Sequence, residues 1–394
     1  MKNVPLEVAR RFIISKQMLL QSAARGSAQE VVDVVRKLGG VQYDPLPVVE
    51  KAHYLTLWNR VKNFKKEVLD GALYKERKMI ELVLMRQALH IIPVDELPYY
   101  YQAVQSVFRR GWIQRAINNL SKQDVQKIVE RIKSDGMVSS KDFPYGKLRA
   151  LFYKGKIGIA KRKPGIFRMP YYCLLSTLHP HLNLQAVDED TAQKWLVLKT
   201  VSAYGLASAR HIGYWIGYKV KETKEILDKL EKEKPVMKVK VVGLNGIHWM
   251  TSEDFNKIQE RIEKTEKVAL LSPMDNLTRD RKWLDKVFGY SFSIEYFQKK
   301  GMRWQISILY DTSFVGFIDA KIDRPRRMFI IKELAIHYSA QKDVWIKVAR
   351  RIVDFARFHR ATTISIGTKC PKWFSDLFGK LGYEHKDKLV TIAE

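Results

Sequence analysis

Twice along this 394-residue chain the hydrophobic spacing changes from the period of a helix to that of a strand, and each time a tight turn follows. The first case begins at Ser121, which caps a helix through Val125, Ile128, Val129 and Ile132. A second helix follows from Pro144 to Tyr153. Then Ile157–Ala160, the basic turn Lys161-Arg162-Lys163-Pro164-Gly165 and Ile166–Tyr172 read as a β-hairpin. The second case runs from Thr191 to Ala203, Ala207 to Ile216 and Lys221 to Glu233, then Val236–Val242, a turn at Leu244-Asn245-Gly246, and Ile247–Met250. Helices closed by a hairpin are the sequence form of a winged helix-turn-helix, so the spacing predicts an α+β chain of tandem winged modules. Residues 1–98 read as a further, divergent copy, followed by modules over 99–185 and 186–266.

Beyond residue 266 the pattern is different. Val268–Leu271, Phe292–Phe297, Arg303–Tyr310, Phe314–Ile318 and Met328–Ile331 are short apolar or alternating runs, which predict a β-rich domain over 267–394, a compact sheet or small barrel. A helix from about Val344 to Phe358 has an apolar stripe of Trp345, Val348, Ile352 and Phe355 to lay on that sheet.

The chain carries 70 Lys and Arg against 42 Asp and Glu, a net charge of +28. Such an excess calls for a polyanionic partner, with nucleic acid foremost; a thermophile surface of solvated lysines is the other reading. The excess is concentrated between Arg109 and Arg168, where sixteen basic residues meet four acids. Cys173 and Cys370 are the two cysteines, which argues against a disulfide framework or a cysteine zinc site and for a reducing compartment, and with a DNA partner the expected setting is the cytoplasm, at the nucleoid. No apolar run approaches the roughly eighteen residues of a membrane span.

One segment carries more chemistry than its surroundings. Ser27 and Glu30 open an amphipathic helix with a capping box, the helix stops at Gly39-Gly40, and Val41-Gln42-Tyr43-Asp44-Pro45 follows. Pro45 keeps Asp44 out of the α region, so the segment runs extended and Gln42 and Asp44 share one side. A carboxylate beside a neutral amide can orient and deprotonate a water or stabilise a developing cation. A loop whose polar groups satisfy nearby backbone donors is the alternative.

Four strings of the chain, in order, resemble the AlkZ/YcaQ (AlkX) winged-helix DNA glycosylases. They are Leu38–Leu46 with Ala52–Trp58 and Arg60, Met85–Pro93, Leu271–Arg281, and Gly316–Arg324. The resemblance implies three tandem winged helices in a C-shaped arrangement with a β-rich C-terminal domain, and cleavage of the N-glycosidic bond of alkylated purines, including some interstrand crosslinks. It assigns catalysis to Gln42 and Asp44, with Asp at the third position as in the YcaQ branch, whereas Met85-Arg86 and Leu89-His90 lie closer to the AlkZ branch. The implied protein is a metal-independent hydrolase of base excision repair that needs no cofactor and works as a monomer on double-stranded DNA with alkylated bases. An N7-alkylated purine is already cationic, so one carboxylate suffices to stabilise an oxocarbenium-like sugar and assist water, and Gln42 would hold that water.

Tyr43, His53, His90, Asp275, Asn276, Arg279 and Arg281 are candidates for the cleft, each with a structural role as the alternative: packing for Tyr43, a satisfied histidine for His53 and His90, turn-organising ion pairs for the rest. Asp319, Lys321, Asp323 and Arg324 stand on the same footing. Lys161, Arg162 and Lys163 at the wing tip, with Lys299, Lys300 and Arg303, are the expected electrostatic contacts to DNA. The rival from another class is a non-enzymatic winged-helix transcriptional regulator, in which the charge serves operator binding. No His-Glu-x-x-His string or clustered Cys/His points to a metal site.

Overall fold

The computed structural model describes residues 2–21, 26–44, 46, 48–110, 112–163, 169–258, 260, 262–292, 304–337 and 341–392. These fall into two compact units, one of Met1–Gln17, Ala23–Pro45 and Val61–Arg261, the other of Met18–Ser22, Leu46–Arg60 and Ile262–Glu394.

Among the described residues, the first unit strings helices between three small sheets. Helix Ala28–Lys37 starts as its sequence predicts: Glu30 N–H donates to Ser27 Oγ (3.3 Å) and Ser27 N–H donates to Glu30 Oε2 (2.9 Å), while Val31, Val32, Val34 and Val35 are buried. Gly39 and Gly40 then take φ of +69° and +95°, and a Cβ on Gly40 would come within 3.0 Å of Ile92 Cγ2. Only glycine both turns there and tolerates that approach. The chain emerges into strand Val41–Gln42, which joins Leu89–Pro93 and Met79–Val83 in one antiparallel sheet.

The second sheet is the hairpin Ile157–Arg162 and Pro170–Leu174, reached through helices Lys122–Asp135, capped by Ser121, and Tyr145–Tyr153. The third follows helices Glu189–Tyr204, Ala209–Ile216 and Val220–Lys232. Its hairpin Val236–Val241 and His248–Thr251 gains a parallel edge strand, Lys2–Val4, from the start of the chain. The boundary expected at residue 98 falls inside helix Leu97–Ala103, whose Tyr100 ring meets Trp195 edge-on at 5.0 Å, so the modules of this unit share one interior.

The second unit is built on a sheet with seven strands among the described residues, in the order 385–386, 389–391, 363–369, 328–336, 313–323, 305–310, 268–271. Strands Met328–Ile336 and Thr363–Lys369 run parallel, and the connection between them is helix Lys342–Phe358. Its Trp345, Val348, Ile352 and Phe355 belong to the core with Ile306, Ile318, Phe329 and Ile331, as the apolar stripe predicts. The run Phe292–Phe297 lies almost wholly outside the described residues. Segment 46–60, expected in the first module, belongs to this unit instead. Val49 and Leu55 enter the sheet's core, and Asn59 grips the edge strand by accepting from Leu270 N–H (3.0 Å) and donating to Leu270 C=O (2.8 Å).

Candidate active site

The Gln42 strand sets the geometry. Across the ladder Val41 pairs with Ile91 and Gln42 with His90; beyond the central strand, Ile91 pairs with Glu81 and His90 with Leu82. Paired residues share a face and neighbours along a strand alternate, so Gln42, His90 and Leu82 occupy one face and Val41, Ile91 and Glu81 the other. Tyr43 N–H continues the pairing by donating to Leu89 C=O (2.8 Å). Tyr43 is thereby on the Glu81 face, and Asp44 follows just beyond the paired residues.

The polar residues Gln42, Asp44 and His90 differ in access. His90 is fully buried, its Nδ1 donates to Ala88 C=O (2.9 Å), and its ring meets Trp215 at 6.1 Å. Asp44 is buried at 6% exposure and Gln42 is half-buried. The Gln42 amide makes no hydrogen bond to another side chain among the described residues. An amide free of side-chain bonds can orient a water for a carboxylate within its reach.

The opposite face is held by a buried ion pair. Arg162 Nε and Nη2 donate to Glu81 Oε1 and Oε2 at 2.8 and 2.7 Å, with side-chain exposures of 6% and 2%. The same guanidinium lies 4.3 Å over the Tyr43 ring, and Tyr74 OH donates to Glu81 Oε1. Burial works against the Arg162 charge, but the Glu81 carboxylate more than offsets it and raises the Arg162 pKa; burial, then the same carboxylate, pushes the Tyr74 phenol well above its usual value. Two further bonds tie the hairpin to this sheet, from Arg77 Nη2 to Ala160 C=O (2.8 Å) and from Arg77 Nη1 to Ile159 C=O (3.3 Å). Arg162 was expected at the wing tip among the DNA contacts; it instead closes the back of the motif strand, because a bidentate partner exists only inside the unit. Lys161 and Lys163 on either side of it are exposed. Lys299, Lys300 and Arg303 lie outside the described residues.

The remaining candidates belong to the second unit. Asp275 receives Arg60 Nη1 and Nη2 at 2.7 and 2.8 Å, and Leu277 N–H at 3.0 Å, with both partners of the ion pair essentially inaccessible. Asn276 and Arg279 are buried in the same turn, Arg281 opens the helix Arg281–Phe288 that Asp280 caps, and buried His53 contacts the Tyr54 ring at 4.3 Å. Asp319 accepts from Trp304 N–H (3.3 Å), Asp323 from Arg326 N–H (3.2 Å), and Arg324 donates to Val49 C=O (2.7 Å); Lys321 is exposed. The Glu81–Arg162 pair escaped sequence reading because its members are separated by 81 residues and share no local signature.

A family model described as DNA glycosylase AlkZ-like matches residues 35–358, which include the motif strand, the hairpin and most of the large sheet. The chain belongs to the AlkZ-like DNA glycosylase family. The fold agrees: the DNA glycosylase AlkZ of Streptomyces sahachiroi superposes with a TM-score of 0.65 over 93% of this chain and 100% of its own, at 15% sequence identity. As an AlkZ-like protein it is a DNA glycosylase of DNA repair and a DNA-binding protein. Among the described residues no helix is long and apolar enough to cross a membrane.

Proposed function

We propose that this AlkZ-like glycosylase is a monofunctional, metal-independent hydrolase for N7-alkylated purines, and that it also unhooks interstrand crosslinks built on such purines. The helix-and-hairpin modules of the first unit are read as three winged helices that hold duplex DNA against a monomeric enzyme. The reading is supported by a half-buried Gln42 amide that makes no hydrogen bond to another side chain among the described residues, two positions before the buried Asp44, at the end of a strand whose other face is anchored by Arg162 and Glu81. In the step itself the C1′–N9 bond breaks and its electron pair neutralises the cationic purine, which leaves without an added proton. The Asp44 carboxylate stabilises the positive charge gathering on the sugar, then takes the proton of the water that adds to C1′. Gln42 holds that water. A neutral amide suits the task, because a second carboxylate so close would drive one of the two pKa values up.

Protein treated with chelator and incubated with a duplex containing 7-methylguanine tests the whole reading. Free 7-methylguanine and alkali-sensitive abasic sites are expected, with no borohydride-trapped protein–DNA adduct. A trapped adduct would make the enzyme a lyase with an amine nucleophile. Retention of an operator-like shift on undamaged DNA with no base release would sink the catalytic role of Asp44.

A further inference from the structure

In the second unit a recess of about 250 Å³ opens between residues 266–268, at the start of strand Val268–Leu271, and helix Lys342–Phe358. Four cations line it: Lys267, Lys347, Arg350 and Arg351. Its two acids stand outward. Glu266 is 76% exposed and bound to Lys347 (2.5 Å), and Asp354 is 56% exposed and reaches Arg351 only at 3.9 Å. The inner donors are unmet. Lys267 Nζ and Arg351 Nε are both shut off from solvent and have no hydrogen-bond partner among the described residues. Arg351 is held in place by the Trp58 ring, 3.5 Å beneath its guanidinium.

A buried ammonium without an acceptor is costly, and here every neighbouring group that reaches it strongly is another cation. Burial first, then Arg351 and Arg60, bring Lys267 down to about 7. Arg60 is neutralised by Asp275, and the nearby Asp311 already accepts Thr265 N–H (3.2 Å). No described carboxylate completes the site.

We infer that this recess binds a phosphate group, with Lys267 Nζ and the Arg351 guanidinium as inner donors and Arg350 and Lys347 at the mouth. An arriving phosphate anion supplies the missing acceptors and favours the protonated lysine, so binding takes up a proton at Lys267 near neutral pH. The chemistry is the same whether the phosphate belongs to a DNA backbone or to a free phosphoester.

Thermal melting at pH 6.5 tests the site, with sodium phosphate compared against sodium chloride at equal ionic strength. The wild-type Tm should rise by a few degrees in phosphate, as expected for a ligand that binds only the folded state. Lys267→Met should abolish that rise. Its Tm in chloride should equal or exceed the wild-type value, because a buried charge has been removed, and this establishes that the variant is folded. General salting-out would persist in the variant, so an equal phosphate shift in Lys267→Met, or no phosphate-specific shift in the wild type, overturns the proposal. Undamaged duplex then identifies the occupant. Competition between phosphate and duplex, lost in Lys267→Met, marks a backbone phosphate, and duplex affinity indifferent to phosphate marks a free phosphoester.

Discussion

The Gln42–Asp44 strand and the Ser272–Asp280 turn carry the same kinds of side chain, amides and carboxylates in a short polar string, yet the structure spends them differently. In the turn, Asp275 is saturated by Arg60 and a backbone amide, and Thr278 Oγ1 donates to Ser272 C=O (2.7 Å). The Asp275 carboxylate is thereby committed to holding the turn. In the strand, the ion pair that gives rigidity lies on the far face, between Arg162 and Glu81, and the near face keeps Gln42 half-open. A buried charge pair thus marks a scaffold in both regions, and the groups proposed to react stand beside that scaffold and not within it.

The comparison breaks most visibly at the turn. Asp275→Ala leaves the Arg60 guanidinium buried and unpaired, and should cost about 3–5 kcal/mol of stability in denaturant melts. Base release per folded molecule should hardly change; a selective loss of rate with stability intact would move Asp275 into the active site. Glu81→Ala strands Arg162 in the same way, with an expected cost of about 3 kcal/mol. It should also lower the rate, because Tyr43 loses the support that fixes the strand, so here stability and activity fall together. Gln42→Ala should do the reverse: roughly a tenfold slower base release, the worth of one hydrogen bond to a positioned water, with no measurable change in melting. Smallest is the effect of Lys161→Ala, within about 0.5 kcal/mol on stability. Its signature should be a salt dependence of DNA binding reduced by about one unit of slope, with base release from saturated enzyme unchanged.

What could be read from sequence was what short-range chemistry determines. Ser27 and Glu30 cap a helix, Gly39-Gly40 ends it with two positive φ angles, and Asn245-Gly246 turns a hairpin, each within a few residues. The rest depended on partners far along the chain. The three-residue strand Lys2–Val4 has no period to detect and exists because Val236–Val241 offers it an edge. Segment 46–60 looks continuous with the motif, yet the pockets for Val49, Leu55 and Asn59 are in the sheet of the other unit. Arg162 resembled its neighbours Lys161 and Lys163 because charge alone does not reveal a Glu81 waiting inside. Lys267 drew no notice for the same reason: its character comes from burial beside Arg351, which no window of sequence contains.

The central claim concerns a single carboxylate, and single-turnover release of 7-methylguanine by Asp44→Asn tests it most directly, with duplex affinity and melting measured on the same preparation. The account predicts a rate lower by about 10²–10⁴-fold with affinity within a few-fold of wild type. A variant that releases the base at the wild-type rate would contradict it.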